Sequence, residues 1–146
     1  MKSINQNYIN SIVKKALDED LKPKGDITTN LISLKNKKAS AKIIAKQNGI
    51  IVGLDFCKSA FKLRGKETVF SKKIIDGRKV KKGKVVATIA AKTKTILTAE
   101  RTALNFLGHA SGIATLTNKF VKKSNKKTKI CCTRKTTPNL RLLDKY

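Results

Sequence analysis

One segment, residues 95–118, contains no lysine, although lysines are spread along almost all of the remaining chain. The 146 residues include 34 Lys and Arg against 9 Asp and Glu, a formal net charge of +25. A lysine-rich segment has to keep its ammonium groups in water, so it folds with at least one solvated face. Within residues 95–118 only Arg101 is certain to carry a positive charge. This segment is therefore not ordinary solvated surface.

The length allows one domain or one and a half, with a true hydrophobic core. A chain of this size buries about two thirds of its unfolded surface, and hydrophobic residues make up 40% of the sequence. The apolar runs are only a few residues long, whereas a bilayer span needs about 20. Residues 1–10 have neither the apolar stretch nor the cleavage site of a secretory signal. We therefore expect no membrane span and a cytoplasmic location.

The three cysteines, Cys57, Cys131 and Cys132, form no CxxC pair. An adjacent pair is poor geometry for chelating one metal or for closing an unstrained disulfide, and the lone His109 does not complete a zinc site by spacing. We interpret all three as buried or half-buried reduced thiols, which suits a reducing cytosol. We predict no metal site in this chain.

Apolar residues at helical spacing predict four helices. The first begins at Ile4 and ends before residues 17–26, which are acidic and contain Pro23 and Gly25. The other three are expected over residues 54–63, 99–107 and 113–121, with Thr98 capping the third. Asp26 is interpreted as the start of a further turn or helix. Close approach of a neighbouring backbone is expected at a set of small residues, Ala110, Ser111, Gly112 and Ala114.

Short β-type runs predict strands between and after these helices. A hairpin is expected from Ala39 to Val52, and single strands over residues 67–74, 84–91 and 93–97. Gly77 and Gly83 flank a lysine-rich stretch and predict tight turns between antiparallel strands. A last short, buried strand is expected over residues 129–133.

The order of these elements predicts an α+β fold. Residues 1–110 are expected to form an N-terminal α/β sandwich of antiparallel strands and helices. Residues 111–146 are expected to supply the first helix and strand of an α/β barrel. The strand over residues 129–133 is the last one predicted, and a helix followed by a single strand is typical of the start of an incomplete barrel.

Arg134 and Lys135 directly follow that late strand, where α/β barrels place their functional residues. A guanidinium presents a fork of donors that matches a carboxylate or phosphate, and the ammonium beside it adds a mobile positive charge. The pair predicts a small anionic ligand. On composition alone, two more surface bases in a lysine-rich protein would be an equally good interpretation.

Four groups of motifs are spread over nearly all of the chain, in the same order in which one protein family carries them. They are GDITT at residues 25–29, DGRKVKKGKVVATI at 76–89, AERTALNFL and SGIATLT within 99–117, and TRKTTPNLR and LDKY within 133–146. In these motifs the chain resembles the N-terminal half of the quinolinate phosphoribosyltransferases, also called nicotinate-nucleotide pyrophosphorylases (carboxylating). GDITT alone is weak evidence, whereas AERTALNFL, SGIAT and TRKTTP together are specific.

The resemblance implies an enzyme of NAD biosynthesis, a pentosyltransferase. It would transfer the phosphoribosyl group of phosphoribosyl pyrophosphate to quinolinate with loss of carbon dioxide, giving nicotinate mononucleotide and pyrophosphate. Mg²⁺ would accompany phosphoribosyl pyrophosphate. Because quinolinate is a dianion and the transition state resembles an oxocarbenium ion, electrostatic stabilisation matters more here than a protein nucleophile.

The same resemblance implies substrate-binding roles for four residues. Arg134 and Lys135 match the family's basic pair for quinolinate and phosphoribosyl pyrophosphate, and Thr136 supplies a backbone or hydroxyl contact. Arg101 matches an arginine that reaches the neighbouring subunit's site, which implies a homodimer. Glu100 is expected either to pair with Arg101 or to complement the helix N-terminus. His109 is interpreted as a helix-packing or interface residue rather than a base.

The resemblance also implies that this chain is an incomplete version, inactive alone. The family's later His-Arg pair, a further substrate lysine and the acidic residues that hold ribose and Mg²⁺ would lie beyond Tyr146. No catalytic residue is therefore expected in this chain. Within the matched motifs, Asn139 stands where the family usually has glycine.

A basic module that binds nucleic acid without catalysis is the alternative function. It would place the lysines of residues 122–129 on the polymer. Against it, 29 of the 34 basic residues are lysines, aromatic residues make up only 5%, and readers of nucleic acid rely on arginine forks and stacked aromatic rings. We expect no specific nucleic-acid partner, only weak and salt-sensitive adhesion.

Overall fold

The computed structural model describes residues 4–31, 37–124 and 128–146. In these ranges the chain forms five helices and five strands, which confirms the predicted α+β class. The helices are α1 (Gln6–Leu21), α2 (Ile27–Leu31), α3 (Leu54–Arg64), α4 (Thr93–Lys123) and α5 (Arg141–Asp144). The strands are β1 (Lys38–Ile44), β2 (Gly49–Ile50), β3 (Val69–Lys72), β4 (Lys79–Val80) and β5 (Val85–Lys92). No helix in these ranges is both long enough and apolar enough to cross a membrane.

Two antiparallel sheets replace the predicted hairpin between Ala39 and Val52. β1 pairs along its whole length with β5, from Lys38 opposite Lys92 to Ile44 opposite Val85, and β3 pairs with the other edge of β5. β2 pairs instead with β4 in a separate two-stranded sheet. The hairpin prediction was wrong because the eight-residue β5 offers β1 a longer hydrogen-bonded ladder than the two residues of β2 do.

α4 runs unbroken for 31 residues, so the strand predicted over residues 93–97 and the division into two helices were wrong. Residues 93–97 are rich in β-branched side chains, but Ile96, Ala99 and Ala103 follow one another at helical spacing against the core. Tertiary burial of that stripe outweighs the local preference for strand. Thr98 therefore lies inside the helix and does not cap it.

α1, α3 and α4 supply most of the hydrophobic core. The predicted apolar face of α3 is confirmed, since Leu54, Cys57, Ala60 and Phe61 are all buried. α1 extends to Leu21, further than predicted, because the acidic residues at its end lie on its outer side while Leu17 stays buried. The other buried core residues of these helices are Ile9, Val13, Phe56, Ala99, Ala103, Phe106, Leu107 and Ala110.

The predicted close approach to the small residues of α4 is confirmed. The Ser111 hydroxyl accepts a hydrogen bond from the Val52 amide at 3.1 Å and donates one to the Val52 carbonyl at 3.2 Å. Thr115 accepts from the Ile50 amide at 2.9 Å. Gly53 follows at φ 101°, and a Cβ there would lie 3.3 Å from the Phe106 carbonyl oxygen. Glycine is therefore required where the chain enters α3.

The strand predicted over residues 129–133 is absent, since these described residues are irregular and exposed. A strand needs a neighbour to pair with, and the described sheets place none beside this segment. Cys131 and Cys132 are consequently exposed, contrary to the burial expected for them, whereas Cys57 is buried as expected. Burial raises the pKa of the Cys57 thiol to about 12, so it stays protonated.

A distant carboxylate caps α3. Gly53 has no side chain to accept from the first amides of the helix, and Asp76 does so instead, taking the Gly53 amide at 2.9 Å and the Leu54 amide at 3.2 Å. Burial raises the pKa of Asp76, although these two hydrogen bonds oppose that rise. Asp76 thus fixes the turn after β3 to the start of α3.

Replacing Asp76 by alanine is expected to lower the free energy of unfolding by about 1–3 kcal/mol, because a cap is lost and two amides lose their acceptor. Urea unfolding followed by circular dichroism measures the change. Glu67→Ala is the control, since it removes the same charge from an exposed position and should change stability by less than about 0.5 kcal/mol. Equal effects of the two variants would contradict the capping role.

Candidate functional site

Arg134, Lys135 and Thr136 form a turn on the surface of the protein. The Thr136 amide donates to the Arg134 carbonyl at 3.1 Å, and the Lys135 amide donates to the Thr133 hydroxyl at 3.1 Å. The side chains of Arg134 and Lys135 are exposed, whereas Thr136 is half-buried and accepts from Arg141 Nε at 3.4 Å. The two adjacent cations are therefore accessible to a dissolved anion.

The segment after this turn is docked on α1 and α4. Leu143 is 2% exposed in the core, and the Tyr8 hydroxyl donates to the Asn139 carbonyl at 2.7 Å. Asn139 has a φ of 63°, in the left-handed region. Asparagine adopts this conformation more readily than most residues, so it fits this turn.

Asp144 joins the turn to α4. One carboxylate oxygen lies 3.0 Å from His109 Nε2, and the other accepts the Thr137 amide at 2.8 Å. Burial would raise the pKa of Asp144, but the hydrogen bonds from Thr137 and His109 outweigh burial and lower it. His109 thus makes a polar contact with the C-terminal segment, while its side chain stays 39% exposed.

Arg101 lies on α4, and its side chain is 73% exposed. Its Nη1 is 2.9 Å from Asp20 Oδ1 on α1. The two residues help to line a hollow of about 360 Å³, together with Asp26 and Thr98, and Arg134 does not line this hollow. Among the described residues, Arg134 therefore does not share this hollow with Arg101.

Both expectations for Glu100 were wrong. The described ion pair of Arg101 is with Asp20, not with Glu100. Because α4 begins at Thr93, Glu100 is about two turns inside the helix. The electrostatic effect of a helix terminus fades within its first turn, so Glu100 does not complement it.

Asp26 of the GDITT motif starts α2 as expected and also ties that helix to α4. It accepts the Thr29 amide at 2.9 Å, the Thr29 hydroxyl, and the Thr98 hydroxyl at 3.0 Å. The Thr29 hydroxyl is the main reason that the pKa of Asp26 is lowered. Thr98 lies one turn before Arg101, so this network holds the part of α4 that carries the arginine.

A second hollow, of about 940 Å³, shares Asp26 and Thr98 with the first. Its walls include β1, the end of α3 and β5. Lys38, Arg64 and Lys66 are among its lining residues. None of the four sequence-predicted site residues lines it.

Three carboxylates of the site, Asp20, Asp26 and Asp144, had no predicted role at the site. Their scarcity is the signal that could have found them, since 9 acidic residues face 34 basic ones. In such a chain each carboxylate has many cations that it can pair with, so a role in holding the site is a reasonable expectation for it. All three contact residues far away in sequence, namely Arg101, Thr98 and His109, so these contacts could not be predicted from spacing.

A divalent cation needs several ligating side chains close together. Within residues 4–31, 37–124 and 128–146, no three His, Cys, Asp or Glu side chains lie close enough together to hold a metal ion. Mg²⁺ in particular needs several oxygen ligands. The residues described here do not fit such a site, and we assign none to them.

The sequence matches two parts of one family. Residues 26–111 match the N-terminal domain of quinolinate phosphoribosyl transferase, and residues 113–146 match its C-terminal domain. This chain belongs to the quinolinate phosphoribosyltransferase family. A probable nicotinate-nucleotide pyrophosphorylase (carboxylating) from Methanocaldococcus jannaschii is 42% identical over 144 residues, which is 97% of this chain. One from Bacillus subtilis is 38% identical over 125 residues, which is 84% of this chain.

Solved structures give the same family relationship. A nicotinate-nucleotide pyrophosphorylase from Francisella tularensis superposes with a TM-score of 0.91 at 35% identity, covering 99% of this chain and 51% of that one. One from Ehrlichia chaffeensis superposes at 0.87 with 39% identity, covering 100% of this chain and 52% of that one. The chain spans about half the length of the family members it matches, for example 49% of the Methanocaldococcus jannaschii protein.

Proposed function

We propose that this chain acts in the transfer of a phosphoribosyl group to quinolinate. In this reaction the pyridine nitrogen bonds to C1 of the ribose while the bond from C1 to pyrophosphate breaks. The carboxyl group next to the nitrogen leaves as carbon dioxide, and its bonding electron pair stays on the ring carbon, which takes up a proton. The products are nicotinate mononucleotide and pyrophosphate. The observation that carries the proposal is the exposed Arg134–Lys135 pair within a matched family motif.

Arg134 and Lys135 are proposed to bind the anionic groups of quinolinate and phosphoribosyl pyrophosphate. A guanidinium binds a planar carboxylate through two parallel hydrogen bonds, while an ammonium follows a phosphate as a mobile charge. Thr136 would add a hydroxyl or amide contact. Asp144 ties the next residue, Thr137, to α4, which limits the movement of the turn that carries the pair.

Arg101 is proposed to serve the site of a second copy of the chain in a homodimer. Its high exposure and its pairing with Asp20 at the protein surface support this role. An incoming carboxylate could replace Asp20 as the partner of the guanidinium, or could bind the donors that Asp20 leaves unused. Residues that the described chain lacks would supply the rest of the site.

Phosphoribosyl pyrophosphate is proposed to arrive with Mg²⁺, held by acidic residues that would follow Tyr146 in a longer chain. The magnesium would neutralise charge on the leaving pyrophosphate. This chain's own residues would bind and orient the two anions. We place the protein in the cytoplasm, and its exposed Cys131 and Cys132 suit a reducing compartment.

The proposal predicts that the chain prefers quinolinate to nicotinate, which has one carboxylate fewer. Loss of one charged hydrogen-bonding group should weaken binding about 10-fold or more. Isothermal titration calorimetry at fixed ionic strength measures both ligands. A generic single-stranded DNA titrated at several salt concentrations distinguishes the alternative function. Equal affinity for both pyridines, or tight DNA binding that resists salt, would contradict the proposal.

A further inference from the structure

Asp144 occupies an unusual position in this basic chain. Its side chain is only 8% exposed, and its two oxygens contact two different parts of the protein. Oδ1 lies 3.0 Å from His109 in α4, and Oδ2 accepts the Thr137 amide at 2.8 Å. The carboxylate is therefore a bridge between a long helix and the backbone that directly follows Arg134–Thr136.

This bridge sets where the cationic turn lies along α4. Thr137 is the residue after Thr136, so fixing its amide limits the movement of the turn before it. Arg101 lies about two turns before His109, or about 12 Å along the helix axis. The carboxylate of the half-buried residue Asp144 thus holds the turn in a fixed relation to the helix that carries the other proposed substrate arginine.

We propose that Asp144 is a positioning residue that orders Arg134, Lys135 and Thr136 for binding a pyridine dicarboxylate. The inference rests on the proposed function and deepens it. Ordering the turn before the ligand arrives lowers the conformational entropy lost on binding, so affinity rises without any contact between Asp144 and the ligand.

A purely structural role would be served equally well by an apolar residue. Leu143, which is 2% exposed, already anchors α5 in the core, and burying a carboxylate carries a desolvation cost. Asp144 also places a negative charge near a turn proposed to attract anions. Simple electrostatics therefore predicts tighter anion binding when Asp144 is removed, whereas the positioning role predicts weaker binding.

Because the two explanations predict opposite changes in affinity for quinolinate, measuring that affinity in Asp144 variants distinguishes them. Quinolinate is titrated into the wild-type chain, Asp144→Ala and Asp144→Asn by calorimetry, and hydrogen exchange of the Thr137 amide is followed by NMR. Asp18→Ala is the matched control, since it removes the same charge from the exposed, paired carboxylate of Asp18 on α1. Urea unfolding of each variant shows whether the core is retained.

We expect Asp144→Ala to weaken quinolinate binding about 10-fold and to speed Thr137 exchange by a similar factor. Asp144→Asn keeps an acceptor for the Thr137 amide and should recover part of the affinity. If the alanine variant does not fold, the affinity of the asparagine variant tests the positioning role. Asp18→Ala should bind at least as tightly as wild type. Wild-type affinity in both Asp144 variants, or unchanged Thr137 exchange, would overturn the positioning role alone. A wild-type chain that binds no quinolinate would overturn the proposed function itself, and with it the ligand named here.

Discussion

Replacing Arg134 by alanine is expected to weaken quinolinate binding by about 10- to 100-fold. A hydrogen bond to a charged group contributes about 1.5–3 kcal/mol, and about 1.4 kcal/mol corresponds to a factor of ten in affinity. Arg134 is exposed in a turn whose backbone is held by its own hydrogen bonds, so alanine should remove the guanidinium without disturbing the fold. Isothermal titration calorimetry on the 146-residue chain measures the change.

Two further variants separate the guanidinium from its charge. Arg134→Lys keeps the charge but loses the planar fork, and we expect an affinity between those of the wild type and the alanine variant. Arg78→Ala removes the same charge from an exposed residue between β3 and β4, and it should weaken binding by less than about twofold if screened long-range charge is all that it removes. An effect of Arg78→Ala as large as that of Arg134→Ala would show that the chain attracts quinolinate by net charge alone.

Helices α1 and α3 and the positions of the glycine turns could be predicted because they are set by nearby residues. The buried stripe of α1 and the face of α3 repeat at helical spacing. Gly77 and Gly83 have φ values of 84° and 85°, so glycine turns lie where they were predicted. Each turn joins strands of two different sheets, however, so the prediction that they connect antiparallel neighbours was wrong. In each case the signal lies within one element, so no knowledge of its neighbours is required.

The strand pairings could not be predicted because they join residues that are far apart. The preference of β1 for β5 over β2 depends on how many ladder bonds each partner offers, which the sequence of β1 does not contain. The prediction for the start of α4 was wrong for a related reason. Its β-branched residues favour strand locally, and only packing against the core makes Thr93 the first residue of a helix.

The candidate site was predictable in its motifs and not in its supporting contacts. Arg101 and Arg134 stand out in the sequence because they lie in specific motifs and because arginines are rare here, 5 against 29 lysines. The carboxylates that hold their surroundings are Asp20, Asp26 and Asp144. Asp20 and Arg101 are separated by 81 residues, and His109 and Asp144 by 35. Such pairs become visible only once helices α1, α4 and α5 are packed together.

Replacing Phe56 by alanine is expected to lower the free energy of unfolding by about 3–5 kcal/mol, a large part of the stability of a domain this size. Phe56 is 2% exposed, and its ring centroid lies 5.3 Å from that of Phe106. The substitution leaves a cavity between α3 and α4 and removes an aromatic contact worth about 0.5–1.5 kcal/mol. Urea unfolding followed by circular dichroism measures the loss.

Phe120→Ala is the matched control because it makes the same chemical change at an exposed position. Phe120 lies near the C-terminal end of α4 and is 57% exposed. Its effect should stay below about 1 kcal/mol, since little apolar area returns to water and no cavity forms. A large loss of stability from Phe120→Ala would show that its face of α4 is covered in solution, which the single described chain does not explain. A small loss from Phe56→Ala would contradict the packing of α3 on α4, and with it the fixed placement of Arg101, because that packing orients the helix on which the arginine lies.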